Sequence, residues 1–302
     1  MLARATQDTA QFEAGNPAAG YYNDLRGVAL TYENPMHALG WLDVLFRRRE
    51  YLNPVSIVQL GLGAWQLLDE DPAWRPVVER VALFLVLDME AGGGLAYRFP
   101  MPHTYDLKVP WYSAMAQGQA ASLLVRCAEM LDREELYAEA GRACRMLLDT
   151  ESPLVAQTDD GPVLQEYPTE QPAHVLNGWI FALWGLHDLA IAKGAPADLR
   201  AEAKQAFESG LDALEARLSL YETPAGWTRY DLYPHPIRHM ASPFYHRLHI
   251  AQMQAMHGLT GRQSFADASE RWLAAALRRR TVAGAVARKI GFRLLRPRGK
   301  AA

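Results

Sequence analysis

Apolar residues recur at helical spacing along most of the chain, and four segments are apolar on nearly every face. These segments begin at Pro54, Pro110, Pro172 and Pro243. Proline suits the first turn of a helix, because its missing N–H would be unpaired there anyway. Helices with so little continuous polar surface are expected to be buried on most sides.

An amphipathic segment with more charged residues follows each apolar one. These outer segments cover residues 74–88, 133–149, 197–218 and 265–280, and one further helix is predicted over residues 36–50. An inner helix followed by an outer helix, repeated four times, is typical of rings and solenoids of helical hairpins. The pattern therefore predicts an all-α fold, an incomplete α/α toroid of about four helical hairpins. An irregular helical bundle is the alternative.

The segments that lead from an outer helix to the next inner helix are long, whereas the turns within each hairpin are short. They cover residues 91–110, 150–172 and 219–243, and each holds a glycine followed by an aromatic, strand-like stretch. Long loops in a compact domain usually carry function. Equivalent loops of a hairpin repeat gather on one rim, so we expect short β-hairpin-like loops there. Tyr97, Tyr167 and Tyr230 should then line one mouth of the toroid.

Composition and charge divide the chain into three parts. Residues 1–50 are an N-terminal extension with a leading helix, residues 51–277 the toroid, and residues 278–302 a basic tail without Asp or Glu. The net charge of −3 gives no reason to expect a nucleic-acid partner. The chain starts with polar residues and has no apolar run long enough to cross a bilayer, so we predict a cytoplasmic protein. Cys127 and Cys144 are expected to be small core residues rather than a disulfide.

The basic tail predicts an amphipathic helix over residues 280–296. Its apolar residues recur at every fourth position, at Val282, Val286, Ile290 and Leu294. Basic amphipathic helices bind anionic membranes, so peripheral contact with the inner membrane face is one prediction. Docking of the tail on the acidic body of the protein is the other.

The predicted rim suits an acidic sugar. The N-termini of the inner helices offer unpaired N–H groups and a partial positive charge. Arg98, Arg229 and Arg238 are candidate carboxylate partners, because a guanidinium can bind a carboxylate with two hydrogen bonds. The other candidate substrate-binding residues are Tyr112, Gln117, Gln119, Asn177, His246 and His249. Packing of the loops against the core is the alternative for each aromatic residue.

Eight short motifs occur in order between residues 51 and 256. They are NP at 53–54, QLGL at 59–62, WYSAMAQGQ at 111–119, EYPT at 166–169, VLNG at 175–178, GLHDL at 185–189, YDL at 230–232 and YHRLHI at 245–250. Together they resemble the C-terminal domain of D-glucuronyl C5-epimerases, which convert glucuronate to iduronate within heparan-type chains. The resemblance implies that the toroid is the catalytic domain of an isomerase that needs no metal or cofactor. It also implies a partner that is a uronic-acid-containing polysaccharide or a lipid-linked oligosaccharide.

The resemblance further implies catalytic roles for Tyr167, Tyr230 and Tyr245, in the EYP, YDL and YH motifs, and for the neighbouring Glu166. Tyr167 and Tyr245 are expected to approach opposite faces of the sugar as base and acid, with Tyr230 either assisting one of them or holding the glycosidic oxygen. In the family an arginine and a histidine follow the YDL motif directly. Here the same pair comes several residues later, so Arg238 is the expected replacement for the carboxylate-binding arginine.

Three other functions stay open at this point. A uronate lyase would form the same carbanion but expel the C4 oxygen. A glycoside hydrolase would need two positioned carboxylates, for which Glu166 and Asp231 are available, although Asp231 is equally suited to capping its loop. A non-catalytic glycan-binding module would bind uronates without turnover. The histidines at 235, 239, 246 and 249 form a cluster in the sequence, but no third ligand is evident, so we expect no metal.

Overall fold

The computed structural model describes residues 8–100 and 104–297, and these residues are mostly helical. The α-helices are α1 (Arg26–Ala29), α2 (Pro35–Phe46), α3 (Pro54–Gln66), α4 (Arg75–Asp88), α5 (Ala114–Leu131), α6 (Glu135–Leu148), α7 (Leu176–Ile191), α8 (Ala197–Arg217), α9 (Pro243–Thr260), α10 (Gln263–Ala276) and α11 (Arg279–Leu295). Short 3-10 helices cover Pro17–Ala19, Leu30–Tyr32, Arg49–Tyr51, Pro72–Trp74 and Leu218–Tyr221. The predicted all-α class is confirmed.

One small antiparallel sheet accompanies the helices. Its strands, β1 (Val155–Thr158) and β2 (Gly161–Leu164), pair with Val155 opposite Leu164. The sheet lies in the second long loop, where the sequence predicts a strand-like stretch. Isolated bridges between single residues occur in the first and third long loops, so all three loops carry some β-type pairing.

Four helical hairpins form the body of the protein. In each hairpin an inner helix packs on the outer helix that follows it: α3 on α4, α5 on α6, α7 on α8 and α9 on α10. The inner helices also pack on one another in chain order, α3 on α5, α5 on α7 and α7 on α9. The predicted hairpins are therefore present in the predicted order. Closure of this array into a toroid stays a prediction.

Two inner helices begin at the predicted proline. The helices α3 and α9 start at Pro54 and Pro243. The side chains of Asn53 and Ser242 accept hydrogen bonds from backbone N–H groups in the first turn of these helices. Such capping satisfies donors that have no partner inside a helix. The combination of an Asn or Ser cap and a first-turn proline fixes both starting points.

The predicted starts of the other two inner helices were wrong by four residues. The helices α5 and α7 begin at Ala114 and Leu176, and the residues before them are extended. Trp111 pairs with Tyr97 through two backbone hydrogen bonds of 2.8 and 3.2 Å. The carbonyl of Ala173 accepts a hydrogen bond of 3.0 Å from the backbone N–H of residue 232. Contacts between loops thus replace the first helical turn that the prolines predict.

The central helices α5 and α7 approach each other to backbone contact. A Cβ atom on Gly185 would lie 2.2 Å from the carbonyl oxygen of Gly118. Close by, the buried Arg126 of α5 forms an ion pair of 2.7 Å with the buried Asp188 of α7. Asp188 also accepts a hydrogen bond of 2.7 Å from the hydroxyl of Tyr22, which ties the N-terminal segment to this helix pair. The GLHDL motif therefore supplies close packing and a buried ion pair.

We expect Gly185→Ala to destabilise the protein by about 2 kcal/mol, because the added methyl group would overlap backbone that has little room to move. The matched control is Gly40→Ala on the exposed side of α2, where a Cβ atom would meet nothing within 4 Å. That change should leave stability unchanged or raise it by up to about 1 kcal/mol. Urea unfolding followed by circular dichroism measures both values, and equal stabilities for the two variants would contradict the close contact.

The N-terminal segment and both cysteines belong to the main core. Tyr21, Tyr22 and Leu25 are buried in the same cluster as the inner helices. Cys127 and Cys144 are buried and free, as predicted. Among the described helices, none is both long and apolar enough to cross a bilayer.

The basic tail forms α11, which packs against α9 and α10. Phe292 and Ala285 anchor it by their burial. Val286, Ile290 and Leu294, three residues of the predicted apolar stripe, are 36%, 57% and 79% exposed. The stripe thus faces mostly solvent, and its contact with a membrane stays a prediction.

Candidate active site

The three long loops meet at the N-terminal ends of the inner helices, and the same contact recurs at each of them. Each loop forms a hydrogen bond with the start of the preceding inner helix. The three bonds run from Tyr97 Oη to Asn53 Oδ1 (3.2 Å), from Ala114 N to Gln165 O (3.0 Å) and from Leu176 N to Tyr230 O (3.3 Å). The loops are therefore gathered on one side of the helical array.

Aromatic side chains from these loops pack together in what we call the tyrosine cluster. Its members are Tyr97, Tyr105, Trp111, Tyr167 and Tyr230, which are buried, and Tyr245, which is half-buried against them. The rings of Tyr230 and Tyr245 meet edge to face with centroids 4.8 Å apart. The ring centroids of Tyr105 and Tyr167 are 5.1 Å apart. The three tyrosines that the sequence singles out thus come together from two loops and a helix.

A chain of hydrogen bonds joins two of these phenols to a carboxylate. Tyr230 donates to Tyr167, and Tyr167 donates to Glu166. Asn177 Nδ2 donates to Glu166 Oε2 at 3.4 Å. These hydrogen bonds link side chains from two loops and from the first turn of α7.

Burial sets the protonation states of the hydrogen-bonded groups Glu166, Tyr167 and Tyr230. It raises the pKa of Glu166 to about 7, although the hydrogen bonds from Tyr167 and Asn177 oppose the shift. Burial, and then the negative charge of Glu166, raise the pKa of Tyr167 and of Tyr230 well above the ordinary value. Near neutral pH the carboxylate of Glu166 is therefore the group that gains or loses a proton, while the phenols stay protonated.

The VLNG motif makes room for this carboxylate. A Cβ atom on Gly178 would lie 2.4 Å from Glu166 Oε2 and 2.5 Å from Glu166 Cβ. Asn177, the preceding residue of the motif, supplies the hydrogen bond to the same oxygen. Two successive motifs, EYPT in the loop and VLNG at the start of α7, are thus coupled by one buried side chain.

A second polar network is built around Asp231, which is fully buried next to Tyr230. Asp231 Oδ2 accepts a hydrogen bond from the hydroxyl of Tyr105 and lies 2.5 Å from His239 Nδ1 and 3.4 Å from His235 Nε2. Burial disfavours the carboxylate form, but the hydrogen bonds from His235 and His239 outweigh it and lower the pKa of Asp231. A carboxylate held in this way is ionised at neutral pH and does not suit the acid role in a hydrolase.

Lys289 of α11 completes this second network. Its Nζ lies 2.7 Å from Nε2 of His239 and 5.5 Å from the ring centroid of Tyr230. Burial lowers the pKa of His239 to about 4, so the ring is neutral at pH 7. Phe292 stacks on the same ring with centroids 3.9 Å apart. The C-terminal helix therefore contacts the loop that carries Tyr230.

Asp231, His235 and His239 have the donor atoms of a metal site, and these atoms lie within 4.8 Å of one another. Both ring nitrogens of His239 already have partners, Asp231 on one side and Lys289 on the other. An ammonium group at 2.7 Å from a ring nitrogen also opposes the approach of a second cation. The ring of His239 is therefore committed to the network, whereas Asp231 Oδ1 and His235 Nδ1 have no hydrogen-bond partner among the described residues.

Three of the predicted substrate-binding residues support the first long loop. Arg98 forms ion pairs with Asp88 at 2.9 Å and with Glu90 at 3.3 Å. Tyr112 donates a hydrogen bond of 2.6 Å to Glu90. The buried Gln117 uses both ends of its amide on the backbone of the loop and of α6. All three side chains have partners within the protein outside the tyrosine cluster.

His246 and His249 support the third long loop. Both are buried, and Nδ1 of each lies 2.9 Å from the hydroxyl oxygen of Thr228. Trp227 stacks on His246 with centroids 3.8 Å apart. Burial lowers the pKa of His246 to about 4 and that of His249 well below the ordinary value, so both rings are neutral at pH 7.

The remaining predicted residues also lie outside the tyrosine cluster. Gln119 is buried in α5. Arg229 is half-buried, and burial lowers its pKa. Arg238 is exposed. The substrate contacts expected of these residues stay predictions, and the cation that lies beside Tyr230 is instead Lys289.

Sequence reasoning missed two residues of the site. Tyr105 lies in the same long loop as Tyr97, and that position was the available signal. Lys289 had no comparable signal, because it comes from a helix beyond the four hairpins. Asp231 was considered only as a hydrolase carboxylate or a capping residue.

A carboxylate with a pKa near 7, bonded to a chain of phenols at the ends of stacked helical hairpins, has the groups that acid–base chemistry requires. Residues 89–274 match the family model described as D-glucuronyl C5-epimerase C-terminus. This match covers more than half of the chain, and the protein belongs to that family. The matched segment contains the three tyrosines, Glu166 and Asp231, but not Lys289.

Two relatives show how far the similarity extends. The D-glucuronyl C5-epimerase of Caenorhabditis elegans is 29% identical over 187 residues, which are 54% of this chain and 28% of that protein. An uncharacterized protein of Methanocaldococcus jannaschii is 28% identical over 107 residues, which are 35% of this chain and 32% of that protein. The chain thus aligns with about a third or less of the length of each relative.

Proposed function

We propose that the protein is a D-glucuronyl C5-epimerase-like isomerase. It would interconvert glucuronate and iduronate residues of a polysaccharide or an oligosaccharide by removing the C5 proton and returning it from the opposite face. The observation that carries this proposal is the hydrogen-bonded chain from Tyr230 through Tyr167 to Glu166, with Tyr245 packed on Tyr230. Membership of the epimerase family supports it.

Glu166 and Tyr167 supply the base in this proposal. A phenol with a raised pKa cannot lose its proton to water at neutral pH, but the carboxylate of Glu166 can accept it. As the proton of Tyr167 passes to Glu166, the phenolate oxygen takes the C5 proton. The electron pair of the C–H bond then moves into the adjoining carboxylate of the sugar.

Tyr245 supplies the acid on the other face. It lies in the first turn of α9, a different element from the loop that carries Tyr167, and so can reach the sugar from another side. Its hydroxyl proton passes to C5 and completes the inversion. Tyr230 lies between the two, hydrogen-bonded to Tyr167 and packed on Tyr245, which suits the return of a proton between them.

The intermediate carries extra negative charge on the sugar carboxylate, which needs positive partners. The N-termini of α3, α7 and α9 carry Asn53, Asn177 and Tyr245, and each of these residues contacts the cluster or Glu166. Helix N-termini stabilise anions through their free N–H groups and the helix dipole. A uronic-acid-containing polysaccharide or a lipid-linked oligosaccharide is therefore the proposed partner.

The test is solvent exchange at C5. The protein is incubated in heavy water with a heparan-type polymer that carries glucuronate, and NMR follows deuterium at C5 and the appearance of iduronate. Exchange without chain cleavage is expected. Ultraviolet absorbance of an unsaturated product would indicate a lyase, and new reducing ends would indicate a hydrolase. Binding of the polymer without exchange would indicate a glycan-binding module and reject the proposal.

A further inference from the structure

The C-terminal helix α11 lies beyond the segment that matches the epimerase family, yet it contacts the loop of a proposed catalytic tyrosine. Lys289 Nζ is 2.7 Å from His239 Nε2, and His239 Nδ1 is 2.5 Å from Asp231 Oδ2. Tyr105, a member of the tyrosine cluster, donates to the same oxygen of Asp231. One continuous polar network therefore runs from α11 into the cluster.

The hydrogens in this network have only one consistent arrangement. A lysine ammonium can only donate, so His239 Nε2 must accept. The ring is neutral at pH 7, and its single proton is therefore on Nδ1, where it is donated to the ionised Asp231. Removal of the ammonium would leave Nε2 without this donor, while the ionised Asp231 would keep the proton on Nδ1.

His239 in turn is coupled to Tyr230. The backbone N–H of Tyr230 donates to the carbonyl of His239 at 2.8 Å, and their ring centroids are 5.0 Å apart. The ammonium of Lys289 lies 5.5 Å from the centroid of the Tyr230 ring. Because Tyr230 donates to Tyr167, a change at His239 reaches the proposed base through two contacts.

We propose that Lys289 is a positioning residue of the active site. It supplies the hydrogen-bond donor for Nε2 of His239, holds the loop of Tyr230 through that ring, and adds a positive charge beside a phenol through which negative charge passes during turnover. The helix α11 is then a working part of the site rather than a separate tail. This inference rests on the proposed function.

Anchoring of α11 does not depend on this ammonium alone. Phe292 is fully buried against His239, and Arg293 Nη1 donates to Thr104 at 2.8 Å. Replacement of Lys289 should therefore leave the helix in place. The effect of the charge can then be separated from an effect on folding.

The experiment compares Lys289→Gln with Lys289→Arg, which keeps the charge and a donor. The control is Arg288→Gln, which removes one charge from an exposed position on the same helix. C5 exchange on the heparan-type polymer gives kcat and KM, and ¹⁵N NMR of the histidines reports the hydrogen bond at Nε2 of His239. We expect Lys289→Gln to lower kcat at least tenfold with KM nearly unchanged, Lys289→Arg to recover most of the loss, and Arg288→Gln to match the wild type.

The NMR measurement separates this inference from the proposed function. The His239 Nε2 signal should shift in Lys289→Gln and stay near its wild-type position in Arg288→Gln, whether or not the polymer is a substrate. An unchanged His239 signal would overturn the inference, as would wild-type kcat in Lys289→Gln. Absence of exchange in the wild-type protein would instead reject the proposed function. Lys289→Met, which keeps the alkyl chain, serves if Lys289→Gln does not fold.

Discussion

Replacement of Glu166 by Gln is expected to abolish C5 exchange and, at the same time, to make the protein more stable above neutral pH. Glutamine fills the same space and can accept a hydrogen bond from Tyr167, but it cannot take that proton. Loss of a positioned base typically costs a factor of about 10² to 10⁴ in rate. In the wild-type protein the exchange rate should rise with pH through about 7, where Glu166 becomes ionised.

The gain in stability follows from the same pKa. Burial raises the pKa of Glu166 from 4.5 in the unfolded chain to about 7 in the folded protein. Between these values the folded state holds a proton that the unfolded state has lost, so the stability of the wild type falls as pH rises. The whole difference corresponds to about 3 kcal/mol. Glu166→Gln lacks this group, so its advantage should grow between pH 4.5 and 7 and then level off.

Urea unfolding at several pH values measures this advantage, and heavy-water exchange on the heparan-type polymer measures activity. Glu170→Gln is the control, because Glu170 is exposed four residues further along the same loop. It should change neither quantity. A Glu166→Gln variant that keeps its activity would exclude Glu166 from the chemistry, and one that is no more stable at pH 8 would contradict the raised pKa.

Removal of single hydroxyl groups from the tyrosine cluster should lower the C5 exchange rate about as much as Glu166→Gln does. We expect Tyr167→Phe and Tyr245→Phe each to lower the exchange rate by a factor of about 10² to 10⁴. Tyr230→Phe should cost less, because that phenol assists the other two. The rings stay in place in all three variants, so binding of the polymer should change little. Tyr167→Phe should also lower stability by about 1–3 kcal/mol, because the buried Glu166 loses a hydrogen-bond donor.

Tyr167→Phe and Tyr245→Phe should also differ in the epimer that each fails to exchange. If Tyr167 and Tyr245 act on opposite faces, each removes the proton from only one of the two epimers. Separate assays that start from glucuronate and from iduronate should then show which epimer each variant fails to exchange. Tyr51→Phe, at an exposed position, is the control. Unchanged exchange in all three cluster variants would reject the assignment.

The repeat explains why part of the site could be predicted from the sequence. Tyr167 and Tyr230 lie in equivalent loops, and equivalent loops of stacked hairpins lie on the same side of the array. That argument needs only the spacing of apolar segments and the position of long loops. The starts of α3 and α9 are also predicted correctly, because a first-turn proline is a local signal.

The rest of the site depends on contacts between distant parts of the chain. The helices α5 and α7 begin late, because the residues before them pair with other loops. Gln117 is a predicted substrate-binding residue, and the structure shows that its amide supports the first loop. No local pattern in the sequence distinguishes these two roles. Lys289 approaches Tyr230 only because α11 folds back on the body of the protein.

The recurring bond between each long loop and the start of the preceding inner helix has a consequence for folding. Each loop is bonded to the inner helix of the hairpin that it leaves, so a hairpin can hold its own part of the rim before the next hairpin forms. The tyrosine cluster, in contrast, takes Tyr167 and Tyr230 from two different loops and Tyr245 from α9, so it is complete only after the last hairpin has docked. Under the proposed function, a nascent or partly unfolded chain would leave sugars untouched, and the molecules able to react would be those in which the whole array has been completed.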